Sequence, residues 1–551
     1  MIELRIAAHI AVHSTFKTAD HMTPVIKDCF ADSALATNMS LCRTKCAALI
    51  TKVLGPTFKE ALLADMTGSK YSLIIDESTD VSSTKELAVV SRYFSYGRSK
   101  FCTSFLGLIP VYDASATGIF SSLKAFLDSC NISLEDCVGV GTDGASVMCG
   151  QNNSVFTHMK AENENMILVK CVCHSLQLAC SEAVAVLPSQ LDFLVRESFN
   201  WFSHSPKRQQ TYHAIYAAIN EGSAPHKLIG MSATRWLSIA GALRTILTQW
   251  LELKTFFNAA KAEERCYTAR LLSDMYNDEV NLLFIKFVSP IVDEFERINK
   301  AFEAENPDPC RLHEDLLLFI TSLMRRVVMP SFASPGSNWE SHILHVRACA
   351  FGTTFRQALE TANLDDDERT RVMERCRQFL VAAIKAVLKR VPSNIDLMEN
   401  MKLLHCDAIA TRRFGDIFEA FRKFIAPGDV SVMESEFLLL QANINELRRG
   451  STCDFWINVA CATNSAGEKK FPRLSHLALS LLTLPLSNAS VERVFSQVAL
   501  TKTDIRNRMS HNTLENTLHV KFALRKDGGC CKDFVPSDEF LRKFTSEIMY
   551  E

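Results

Sequence analysis

Between residues 73 and 169 the sequence departs from the helical periodicity found elsewhere, and the order of strand-like runs in that window constrains the fold more than any other feature. Leu73-Ile-Ile75 is a short apolar run that stops at Asp76. Leu87 to Phe94 and Phe101 to Ile109 are further β-rich runs separated by polar turns, which together predict a three-strand meander. An amphipathic stretch, Ile119 to Leu127, leads to Cys137-Val-Gly-Val140, another buried-strand candidate that ends at Thr142-Asp143-Gly144. Met166-Ile-Leu-Val169 begins a fifth strand candidate, and helical spacing resumes after His174 through Leu176, Leu178 and Ala179.

Three antiparallel strands, a helix, a strand, a helix and a strand is the order of a ribonuclease-H-like fold. On either side the pattern is helical. Residues 1–65 space Ile6, Ile10, Leu49, Ile50, Val53 and Leu54 for one buried helix face. From roughly 200 to 440 long amphipathic patterns take over, as in Ile291, Phe295, Ile298 and Phe302, punctuated by Asn306-Pro-Asp-Pro309, Pro330 to Pro335 and Ala426-Pro-Gly428. With 551 residues and 47% hydrophobic content there is material for two to four structural units.

Several function classes are excluded as expectations. Glu3 and Arg5 stand where a signal peptide needs apolar residues, and no apolar run reaches the ~18 residues that span a bilayer, so a soluble, intracellular protein with no membrane role is expected. The 19 cysteines are scattered without a secreted-framework rhythm and read as buried thiols. A net charge of −2 argues against bulk attraction to nucleic acid, so DNA contact requires local basic faces. Lys207-Arg208, Arg412-Arg413 and Lys502 to Arg508 are candidates, although such groups are more often solvated surface.

Asp76 and Asp143 each follow an apolar strand candidate, so their carboxylates can emerge at one edge of one sheet. That would preorganise a metal site, because paired Mg²⁺ ions ~3.5–4 Å apart need oxygen ligands from rigid elements. Either Asp taken alone is equally a turn former or helix cap, and Asp143-Gly144 is ordinary turn chemistry.

The surrounding words carry a resemblance. Leu73-Ile-Ile-Asp-Glu-Ser-Thr-Asp80 and Gly141-Thr-Asp-Gly-Ala-Ser-Val-Met148 resemble the two acidic motifs of hAT-superfamily transposases and their domesticated relatives. Cys171-Val-Cys-His174 resembles the family's Cys-x-x-His element, and Thr234-Arg-Trp-Leu237 its Arg-Trp element. Leu484-Pro-Leu-Ser-Asn-Ala-Ser-Val-Glu-Arg-Val-Phe-Ser496 resembles the signature of its C-terminal dimerisation region, preceded by Asp454-Phe-Trp456 and Phe471-Pro-Arg-Leu474. The motifs stand in the family's order.

The resemblance implies an α/β protein with a ribonuclease-H-like core interrupted by a large all-helical insertion and completed by the C-terminal region. The expected divisions are an N-terminal helical segment (1–65), the first part of the core (66–200), the helical insertion (201–440), the hAT dimerisation region (441–525) and a C-terminal tail (526–551). It supplies Glu492 as the third carboxylate, so that Asp76, Asp143 and Glu492 would hold Mg²⁺ (or Mn²⁺) for DNA cleavage and strand transfer. Cys171, His174, Arg235 and Trp236 would position DNA, with Trp236 stacking on a flipped base; Trp236 reads equally as a core anchor of the insertion. Cys171 and His174 supply only two of the four ligands that a structural zinc needs, so the pair reads as a packing or DNA-positioning element near the active site. His9-x-x-x-His13 looks like the trailing half of a zinc finger without its cysteines and reads as helix surface, so no structural zinc is expected, and the family's BED finger is read as missing. Partners implied are a second copy of the chain and double-stranded DNA, in the nucleus. A catalytically inactive, domesticated protein that dimerises and binds DNA, chromatin or protein is the alternative.

Overall fold

The structure is a computed structural model that describes residues 1–79, 83–230, 239–264, 266–304, 307–503 and 506–550. The chain divides into two compact units, one of Met1–Cys171 with Asn400–Glu551 and the other of Val172–Glu399.

The first unit is built on a mixed five-stranded sheet of β1 (Tyr71–Thr79), β2 (Lys85–Ser95), β3 (Lys100–Pro110), β4 (Cys137–Thr142) and β5 (Ile167–Lys170), in the order β3-β2-β1-β4-β5. β1, β2 and β3 are antiparallel, as the meander predicts, whereas β4 and β5 run parallel to β1. The parallel additions require crossovers, which the helices Ala116–Ser129 and Val155–Glu162 provide.

Both faces of this sheet are covered, which explains why its strands read as nearly continuous apolar runs. Leu73, Ile75, Leu87 and Val89 pack on one face with Ile119, Leu123 and Leu127 of the first crossover helix and Val155 and Met159 of the second. Their neighbours Ile74, Ala88 and Val90 point the other way, against Val491, Val494 and Val498 of the helix Ala489–Thr501 and Leu514 and Leu518 of the helix His511–Arg525. The three valines recur at helical spacing on one face, and burying each contributes roughly 1.5–3 kcal/mol.

β1 does not stop where its apolar run does. Its antiparallel pairing with β2 continues from Asp76↔Ala88 to Thr79↔Lys85, while its parallel pairing with β4 ends at Ile74↔Gly141. Asp76 is therefore a mid-strand residue just beyond the shared β1–β4 register. The apolar pattern marks burial, whereas backbone pairing carries the strand onward through polar residues.

A further core in the same unit joins the two ends of the sequence. Leu4, Ile10, Leu49, Val53, Val520, Leu524, Cys531, Phe534 and Phe540 are buried together. Residues 526–551 thus include packed short helices, Cys531–Asp533 and Asp538–Lys543 among them.

The second unit is helical, with no strand among its described residues beyond an isolated bridge, Val328↔Ile343. Ile291, Phe295, Ile298 and Phe302 are all buried on the helix Glu279–Glu303. Phe287 of the same helix sits at the centre of an aromatic group with Phe351, Phe355 and Phe379, ring centroids 5.5–5.9 Å apart. The helix Asp366–Arg390 begins with a capping box in which Asp365 and Glu368 each accept from the other's backbone N–H.

Candidate active site

Side chains alternate across a strand, so Ser72, Ile74 and Asp76 share a face. Ser72 Oγ meets Thr483 Oγ1 at 3.0 Å, and Ile74 packs beneath the valines of the Glu492 helix. Asp76 is therefore on the face covered by the segment that carries Glu492. On β4 the same face holds Gly139 and Gly141, where an added Cβ would lie 2.5 Å from Leu484 Cδ2 and 2.8 Å from Pro485 Cγ. Glycine at these positions lets Leu484-Pro485 lie directly on the sheet. Asp143 follows one residue after β4 ends.

The acids act on one another. Burial pushes the Asp76 carboxyl up to about 7, and the charges of Asp143, Glu492 and Glu77 add to the shift, against a 2.9 Å hydrogen bond donated by the Glu77 N–H. Asp143 also performs the turn chemistry that its Gly144 neighbour suggests: its Oδ1 accepts from the Ala145 N–H at 2.9 Å, and Gly144 takes φ +94°. Glu492 is half-buried in the first turn of Ala489–Thr501, where the helix dipole favours a negative charge.

Carboxylate oxygens are the donor type that a hard divalent cation takes, and Asp76, Asp143 and Glu492 come from three separate chain segments. Nearby polar atoms are buried without partners: Oδ1 and Nδ2 of Asn488, Oγ of Ser490 and Oε1 of Glu77. The three carboxylates do not form a cluster with every ligand oxygen within 4.8 Å of the others, so a single compact ion site is not built here.

Cys171 occupies a position that its motif does not disclose. It is 2% exposed; its N–H donates to Thr142 O at 2.8 Å, and its Sγ accepts from the Asn488 N–H at 3.3 Å. It thereby links the backbone beside Asp143 to the start of the Glu492 helix. A thiol so buried meets protein, and what it positions directly is that helix. Sequence patterns gave no sign of Asn488 either, although Asn before an Ala-Ser-Val-Glu run is a helix-start signal. His174 is half-buried on the helix Val172–Val184 of the second unit. Arg235 and Trp236 lie outside the described residues.

A cleft of about 1090 Å³ is elsewhere in the first unit, lined by Lys70, Tyr96, Asp136, Lys423, Arg473 and His476 among others. It meets β1 and β4 at their beginnings, the opposite edge from Asp76 and Asp143. Its size says nothing about the acids, whose neighbourhood is defined by charge and packing.

The class is thus a mixed α/β, mostly helical protein with one five-stranded mixed sheet. Residues 18–154, which include Asp76 and Asp143, match the family model described as the ZMYM1/FAM200, RNase-like domain. Residues 449–524, which include Glu492, match the hAT family C-terminal dimerisation region. Both matches are consistent with a hAT-family, transposase-derived protein, and the second gives the C-terminal part of the chain its similarity to a dimerisation region. Among the described residues no helix is long and apolar enough to cross a membrane.

Proposed function

We propose that this chain is a hAT-type transposase-like protein that cuts and rejoins DNA phosphodiesters, with Asp76, Asp143 and Glu492 holding Mg²⁺ (or Mn²⁺). The sheet would be a ribonuclease-H-like core, interrupted by the helical residues 201–440 and completed by the C-terminal region. The observation that carries the reading is the convergence of three acids, distant in sequence, at one sheet edge with buried, unpartnered polar atoms beside them. When bound, paired divalent ions activate the attacking hydroxyl and stabilise the leaving oxygen. Asp76, fixed by strand pairing on β1, is the least movable ligand. Asp143, held by its turn, and Glu492, held by the packed valine face, complete the set. Arg235 and Trp236 are assigned to holding a flipped base, with His174 contributing to DNA position. The functional form is a homodimer or larger homo-oligomer on double-stranded DNA in the nucleus.

Purified full-length chain given DNA with the element's own ends and Mg²⁺ tests this. Asp76→Ala, Asp143→Ala and Glu492→Gln should each lower cleavage on the order of a thousandfold, the several kcal/mol that metal-assisted charge stabilisation supplies. Undiminished cutting by the three variants refutes the assignment.

The near-neutral net charge of −2 favours a second reading, in which the fold serves a catalytically inactive, domesticated factor that dimerises and binds DNA, chromatin or protein. That reading predicts unchanged partner binding in all three variants, and no calorimetric Mg²⁺ signal that the substitutions remove.

A further inference from the structure

His9 and His13 stand one helical turn apart on Ile2–His13, an i, i+4 spacing that places both rings on one face, with centroids 5.2 Å apart. Sequence alone offers them no companions. The fold brings Cys530 and Cys531 to them from the other end of the chain: Cys531 Sγ lies 3.5 Å from His9 Nδ1, Cys530 Sγ lies 3.9 Å from His13 Nε2, and the two sulfurs are 3.8 Å apart. The ligand atoms of His9, His13 and Cys531 all lie within 4.8 Å of one another.

These spacings can be compared with a zinc tetrahedron. With Zn–S near 2.3 Å and Zn–N near 2.0–2.1 Å, tetrahedral angles put two thiolate sulfurs about 3.8 Å apart and a sulfur and an imidazole nitrogen about 3.5 Å apart. The sulfur–sulfur and Cys531–His9 separations agree, while Cys530 lies 3.9 Å from His13 and outside the 4.8 Å group of the other three, so its side chain must turn inward to complete the tetrahedron; a disulfide would need about 2.05 Å between the sulfurs, and both cysteines are free. The supports are rigid. Leu4, Ile10, Cys531 and Phe534 share one buried core, and Arg5 Nη2 donates to Lys532 O at 2.8 Å, fastening the helix to the cysteine-bearing turn.

The geometry points to a structural zinc site formed by His9, His13, Cys530 and Cys531, separate from the carboxylate centre and from DNA chemistry. Two nitrogens and two sulfurs are the donor set of a closed Cys₂His₂ site, and two thiolates neutralise the ion's charge. Each cysteine releases its thiol proton to solvent on binding, so affinity rises with pH. The site clamps the Ile2–His13 helix to the segment after His511–Arg525, closing almost the whole chain into one loop. The proposal departs from the expectation, drawn from sequence, of no structural zinc.

The test uses the full chain, purified under reducing conditions, stripped with chelator and reloaded with Zn²⁺ or Co²⁺. Expected are one equivalent of zinc retained through gel filtration and, with cobalt, thiolate-to-metal charge transfer with a tetrahedral ligand-field spectrum. His13→Asn and Cys530→Ser, which alter residues outside the buried core, should weaken binding by at least the roughly hundredfold that loss of even an outer-shell partner can cost. Asp76→Ala should keep the metal, and circular dichroism should show all three variants folded. Substoichiometric zinc in the wild-type chain at micromolar free metal overturns the site. So does wild-type affinity in both His13→Asn and Cys530→Ser, or a Cys530–Cys531 disulfide in the metal-free reduced protein.

Discussion

At the scale of single residues, two side chains have consequences that can be measured without any catalytic assay. The Cys171 sulfur is an acceptor for the backbone N–H of Asn488, the residue that caps the start of the Glu492 helix, and Cys171→Val removes that acceptor at nearly constant volume. We expect the Asn488 amide to lose hydrogen-exchange protection, at a cost on the order of 1 kcal/mol in local stability. An unchanged Asn488 exchange rate would show that the sulfur does not hold the helix. His511 behaves differently. Burial pulls its pKa down, but the hydrogen bond and charge of Glu86, with Glu515 and the Leu108 carbonyl, outweigh this and leave it raised. A raised folded-state pKa means that the pairing stabilises fully below the unfolded value of about 6.5 and is lost as pH climbs through the folded value. Glu86, 3% exposed, then loses its charged partner. Wild-type Tm should therefore fall more between pH 6 and pH 8.5 than that of His511→Gln; parallel pH profiles would count against the pair.

Among elements, β4 is the one on which the site's construction depends. Its glycines lie where Leu484-Pro485 crosses the sheet, and a Cβ at Gly139 would also stand 2.7 Å from the Ile167 carbonyl oxygen on β5. A side-chain terminus can turn aside, but a neighbouring strand's backbone cannot do so without breaking its ladder. Gly139→Ala should therefore cost about 1–3 kcal/mol, the usual range for overpacking, read as a lowered denaturation midpoint. Stability equal to wild type would mean that Leu484 does not approach β4 this closely. The same crossing explains why β4 mixes glycine with valine: Val140 faces the crossover helices, while Gly139 and Gly141 face the C-terminal segment.

For the whole molecule, the segment that matches the hAT dimerisation region is also part of the core of its own chain. Val491, Val494, Val498, Leu514 and Leu518 cover the sheet face formed by Ile74, Ala88, Val90, Phe105 and Leu108. A chain ending at Arg448 exposes that face and should be insoluble or lose its far-UV signature, so deletion cannot be used to measure dimerisation. A folded, soluble monomer of residues 1–448 would contradict this account. Point substitutions on the region's exposed surface are the suitable probes of self-association.

Period and punctuation in the sequence determined much of this. The three-strand meander, the fourth and fifth strands, the helical character of the middle residues and the apolar face of Ile291 to Phe302 follow from local pattern, because alternation and helical spacing record burial residue by residue. Motif wording supplied Glu492, which no periodicity singles out. Tertiary structure alone decided the rest. β1 runs past Asp76 because pairing with β2 does not depend on apolar side chains. Cys171 reaches Asn488, and Cys530 and Cys531 reach His9 and His13, through contacts across 317 to 522 positions. Such neighbours are set by how sheets and helices pack, and short-range sequence pattern carries no record of them.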